Sequence, residues 1–91
     1  MNYKRLLEKI TRKDYPGGVF DYYGCRVNVT LGAESMNVHI DNGKKTLAEF
    51  DFTFEIPRFI AFHHMGKRRS NCISKHLNAI YKSKITVYHE S

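Results

Sequence analysis

The amino-acid sequence predicts a single α+β domain over positions 1–91, and three observations carry that expectation. Tyr3, Leu6, Leu7 and Ile10 recur at helical spacing near the start, and apolar and polar residues alternate through the middle. A second helical stripe then precedes a short β-rich ending. The expected order is an N-terminal helix, an antiparallel meander of about four strands, one or two C-terminal helices and a short last strand. A chain of 91 residues has room for one hydrophobic core. With hydrophobic residues at 42% and charged residues at 26%, it has the balance of a globular domain, which argues against wholesale disorder.

The first element spans Asn2 to Lys13, with its apolar residues on one side and Lys4, Arg5, Lys9 and Arg12 on the other. Tyr15-Pro16-Gly17-Gly18 ends it, because proline disfavours helix in the residue before it and the glycines invite a turn. Val19–Tyr23 and Arg26–Leu31 are rich in β-branched and aromatic residues and predict two strands, with Gly24 at the bend. Met36, Val38 and Ile40 alternate into Asp41-Asn42-Gly43, a signal for a type I′ hairpin turn. The return strand runs through Ala48, Phe50, Phe52, Phe54 and Ile56, and the strict alternation makes the phenylalanines core. Of the adjacent Tyr22 and Tyr23, one ring must face away from the other.

Arg58–Met65 suits a short helix with Pro57 in its first turn, closed by Gly66. Ser70 or Asn71 then caps a helix whose apolar stripe is Ile73, Leu77, Ile80 and Tyr81, and Ile85–Tyr88 reads as the last strand. Two cysteines 47 positions apart do not make a disulfide framework, which points to a reducing, cytoplasmic setting. No uninterrupted apolar stretch reaches ten residues and charges interrupt the N-terminus, so neither a membrane-spanning helix nor a signal peptide is expected.

The net charge of +6 is unevenly spread. Positions 1–14 carry +3 and positions 15–55 carry −3. Positions 56–91 carry +6, with no acidic residue from Ile56 to Tyr88. Gly66-Lys67-Arg68-Arg69-Ser70-Asn71 places three cations where a helix begins and offers unpaired amides, which is the chemistry of an anion site. Arg58, Lys75, Lys82 and Lys84 extend it, and Tyr15, Phe20, Tyr22 and Tyr23, near a turn and on the first strand, could stack on bases if exposed, or be core.

Two other chemistries use the same segment. Cys72 and His76 stand four apart on the helix with His63 and His64 upstream, a donor set for zinc. The spacing matches no zinc signature, and a buried cysteine beside a helix-edge histidine explains the same letters, so no metal or cofactor is assigned. His63 and His64 beside Lys67, Arg68 and Arg69 would also suit phosphodiester cleavage if Asp41, Glu49, Asp51 or Glu55 oriented an imidazole. No nucleophile elbow, phosphate-binding loop or zinc-hydrolase motif accompanies them.

In element order alone, the helix, meander and basic-started helix are similar to the double-stranded-RNA-binding domain, which also presents cations at its last helix. Cys72, Ile73, His76 and Leu77 are larger than the small residues that helix carries, and the strand at Ile85–Tyr88 has no counterpart there. The expected function is therefore a small non-enzymatic binding protein. Its basic C-terminal surface, Arg58, Lys67, Arg68, Arg69, Lys75, Lys82 and Lys84, would contact nucleic acid or a nucleoprotein complex. The alternative is a protein–protein inhibitor or adaptor, of the kind a virus directs at a host enzyme or defence complex, acting through the acidic-faced hairpin or an aromatic patch. An unprotected edge of the meander would allow a homodimer.

Overall fold

Two helices lie on one face of a six-stranded mixed sheet in the computed structural model, which describes residues 2–90; positions 1 and 91 of the expected domain lie outside them. The elements are α1 (Tyr3–Ile10), β1 (Gly18–Tyr22), β2 (Cys25–Leu31), β3 (Ser35–Asp41), β4 (Thr46–Thr53), β5 (Phe59–His63), α2 (Lys67–Tyr81) and β6 (Thr86–Glu90). Spatial order follows sequence order. The first five strands form an antiparallel meander, and β6 pairs with β5 in parallel. A parallel pair cannot be closed by a tight turn, and here α2 supplies the crossover.

Asn2 starts α1, its side-chain oxygen accepting from the Arg5 amide at 3.2 Å. Leu6, Leu7 and Ile10 point inward and meet Ile73 and Leu77 of α2. All five are buried against Val27, Val29, Val38, Ile40, Phe50, Phe52, Ile60 and Phe62 of the sheet. The Phe50 and Phe62 rings pack 5.7 Å apart on adjacent strands, so the expected phenylalanine core is present. The opposite face of the sheet has no helix on it and carries the intervening residues, Arg26, Asn28, Asn37, His39, Glu49, Asp51 and His63 among them.

Four details depart from the sequence-based expectation. The segment read as a short helix is strand β5, in which Ile60 and Phe62 are buried and Phe59, Ala61 and His63 face the other way. Five residues are too few for periodicity to separate helix from strand, and pairing with the free side of β4 decides. The meander thus has five strands, and a single C-terminal helix follows. β4 stops at Thr53, leaving Ile56 80% exposed rather than on the apolar face. The β3–β4 turn is a four-residue loop rather than a type I′ turn. Asn42 Oδ1 accepts from the Lys44 and Lys45 amides, and Asp41 Oδ1 accepts from Gly43, whose φ is +87°. Finally, α2 begins at Lys67 with Gly66 as its cap, so Ser70 lies inside the first turn, its hydroxyl donating to the carbonyls of Gly66 and Lys67.

Candidate nucleic-acid interface

The two helices that bury the core also carry most of the positive charge. In α1 and the turn after it, Lys4, Arg5, Lys9, Arg12 and Lys13 stand against Glu8 and Asp14. In α2 and the turn after it, Lys67, Arg68, Arg69, Lys75, Lys82 and Lys84 stand against no acid. All eleven cations are exposed, and none forms an ion pair among the described residues. The helices pack side by side, which joins the two positive ends of the sequence into one layer carrying +9. Everything else holds Arg26, Lys44, Lys45 and Arg58 against Asp21, Glu34, Asp41, Glu49, Asp51, Glu55 and Glu90, a balance of −3.

Their amphipathic periods set the geometry. Ser70, Ile73 and Leu77 face the core, so Arg68 and Lys75, seven residues apart, share the outer side of α2 about two turns and 10 Å from each other. Lys67 and Arg69 flank that line, and Arg69 donates from one terminal nitrogen to the Leu47 carbonyl at 2.9 Å. Lys82, left-handed at φ 52°, ends the helix, and Lys84 follows in the turn toward β6. The Tyr3 phenol feels the charge of Arg69, which puts the starts of both helices at one end of the molecule. Burial pushes the Tyr3 pKa up, and the nearby guanidinium only partly offsets this.

Neither helix has an acidic residue in its first turn, and α2 opens with three cations under a cap that has no side chain. This is the reverse of the arrangement that stabilises a helix, where each misplaced charge costs about 0.3–1 kcal/mol.

Aromatic groups border this layer. A groove of about 440 Å³ runs between α1 and the β1–β2 turn, lined by Arg5, Glu8, Lys9, Arg12, Tyr22 and Tyr23. Tyr22 turns its ring inward and donates from its hydroxyl to the Asn2 carbonyl. Tyr23, at φ 49°, stands out into solvent with 73% of its surface exposed. Lys9, which lines the same groove, holds its ammonium 4.0 Å above the Phe20 ring.

Of the seven residues singled out from the sequence, Lys67, Arg68, Arg69, Lys75, Lys82 and Lys84 therefore lie on or beside one helix. Arg58 does not join them. It is half-buried beside the C-terminal end of α2, away from Lys67, Arg68 and Arg69, its guanidinium 4.2 Å over the Tyr81 ring and its Nε donating to the Phe54 carbonyl. The α1 cations were absent from that set, although their outward helical spacing was the signal that could have included them.

The histidine and cysteine readings separate in space. His63 lies on the helix-free face of the sheet with its Nε2 2.5 Å from Asp51 Oδ2, while Cys72 and His76 ride on α2 over the other face. Among the described residues no three His, Cys, Asp or Glu side chains converge as a metal site. Asp51 also accepts from Asn37 at 2.9 Å, giving an amide–carboxylate–imidazole chain across β3, β4 and β5. Comparison with protein-family models, with curated proteins and with solved structures returns no match. No helix among the described residues is long and apolar enough to cross a membrane.

Proposed function

We propose that the protein is a non-enzymatic binding module that holds nucleic acid, alone or within a nucleoprotein complex, on the layer formed by α1 and α2. The observation that supports this reading is the gathering of eleven exposed cations, against only Glu8 and Asp14, on two adjacent helices and the turns that follow them. A polyanion laid along them releases counterions at every phosphate it contacts, giving affinity without sequence preference and with a strong dependence on salt. Tyr23 beside Arg5, Lys9 and Arg12 adds a ring on which an unpaired base could stack, which favours single-stranded over duplex ligands.

The test is fluorescence polarisation with labelled single- and double-stranded DNA and RNA across a salt series. About five phosphate contacts would give a log–log slope near −4. Arg68→Ala combined with Lys75→Ala should flatten that slope by about 2 and weaken binding alike for all sequences. Arg26→Ala, on the opposite face of the sheet, should change nothing. No binding to any of the four ligands at low salt would overturn the reading.

A second reading rests on the helix-free face, where Asp21, Asp41, Glu49 and Asp51 collect. It makes the protein an inhibitor or adaptor for a basic protein partner. A single stoichiometric protein retained from nuclease-treated lysate, and lost on Glu49→Gln with Asp51→Asn, would favour it.

A further inference from the structure

Arg58 belongs to a different feature from the polyanion layer. Between the C-terminal ends of the two helices and the far end of the sheet lies a cleft of about 380 Å³, within the range that accommodates small molecules. Leu31, Met36, Phe54 and Tyr81 supply apolar wall, while Arg12, Lys13 and Arg58 bring three positive charges against Glu55.

Arg58 is held in place before any ligand arrives. Its Nε is tied to the Phe54 carbonyl at 3.2 Å and its plane lies over Tyr81 at 4.2 Å. Its two terminal amino groups form no hydrogen bond among the described residues. A planar fork with one edge anchored and its end free matches a carboxylate, which it can bind through two parallel hydrogen bonds. The flanking side chain loses little freedom on binding, because the anchoring contacts have already ordered it.

One effect opposes an anion here. Both helices present their C-terminal ends to the cleft, each with a partial negative charge of about half a unit. Part of that is answered internally, since the Leu7 carbonyl accepts from the Thr11 amide and hydroxyl, and the Asn78 carbonyl accepts from Lys82 and Ser83. Three cations against one carboxylate leave an excess that outweighs the rest.

We infer that this cleft binds a small amphipathic carboxylate, its acid group on the free end of the Arg58 fork and its apolar body against Leu31, Phe54 and Tyr81. The cleft shares Arg12 and Lys13 with the border of the polyanion layer, but the inference does not need nucleic-acid binding, since Arg58, Leu31, Phe54 and Tyr81, which would hold the ligand, are not among the exposed cations.

Octanoate, octan-1-ol and inorganic phosphate titrated separately into the ¹⁵N-labelled full chain test it by amide shifts. Octanoate should produce saturable shifts around residues 10–13, 54–58 and 81, at least about tenfold tighter than octan-1-ol, the difference one charge-assisted contact makes. Phosphate, lacking the apolar body, should not saturate those amides. Arg58→Gln should weaken octanoate by about tenfold or more. Leu31→Trp, which fills the mouth from an exposed wall position and leaves the fork intact, should weaken it too. Equal binding of octanoate and octan-1-ol, unchanged affinity in a folded Arg58→Gln or Leu31→Trp variant, or no saturable shift in the cleft would overturn the inference.

Discussion

Arg58 lies 4.2 Å above the ring of Tyr81, joining the approach to β5 to the last turn of α2. The Tyr81 phenol is raised above its ordinary pKa near 10, chiefly by burial, with the Arg58 charge pulling the other way. The Tyr3 and Tyr15 phenols are raised for the same first reason. A folded-state pKa above the unfolded one means that the folded protein holds the proton more tightly. That contribution to stability is complete below pH 10 and is lost as pH rises through the raised values. Chemical denaturation at a series of pH values should therefore show stability falling above pH 10. Tyr81→Phe, which keeps the ring and removes the ionisable group, should make the fall shallower; an unchanged pH profile would count against the burial of this phenol.

At the scale of the element, α2 combines a sound apolar stripe with an unfavourable start. Gly66 is extended at φ −67°, it offers no capping oxygen, and a Cβ added there would meet nothing within 4 Å. Gly66→Ser and Gly66→Asp should both raise thermal stability, by a few tenths of a kcal/mol, because either supplies the missing cap. Only the aspartate sets a negative charge beside Lys67, Arg68 and Arg69, so only Gly66→Asp should also weaken nucleic-acid binding. Equal affinities for the two variants would separate the helix start from the binding surface.

The elements were legible where the apolar period ran long enough to be counted. Leu6, Leu7 and Ile10 marked α1, and Ala48, Phe50 and Phe52 marked β4, because each run is long enough for one face to be buried and counted. Phe59–His63 was not legible, since a five-residue run beside a proline fits either period until the free side of β4 selects the strand. The parallel placement of β6 depends on α2 crossing the sheet, a long-range fact that no local spacing encodes. The Asp41-Asn42-Gly43 turn was located correctly but typed wrongly. Its side-chain oxygens bond forward along the chain and open the loop to four residues.

The candidate site was half visible for a similar reason. Arg68 and Lys75 could be placed on one face from the period of α2 alone, and the fold leaves them there. Arg58 is equally basic in sequence, yet Tyr81 and the Phe54 carbonyl draw it into the cleft beside the last turn of α2. The charge of α1 was apparent, but its position beside α2 follows from both helices burying their stripes on the same face of the sheet.

For the whole molecule, the consequence is an electrostatic polarity between faces rather than between chain segments. A layer of two helices at +9 lies over strands and loops at −3, and such a separation would steer a polyanion, the proposed ligand, toward one side before contact. The acidic hairpin residues Glu49 and Asp51 help to orient it, since they lie on the face turned away from the helices. Adding a short single-stranded oligonucleotide at low salt and following backbone amide shifts would test this most directly. Shifts on both α1 and α2, extending to the Tyr23 turn and sparing Arg26, Glu49 and Asp51 on the far face, are the expected result. Shifts confined to the helix-free face, or to α2 with α1 untouched, would contradict a single two-helix binding surface.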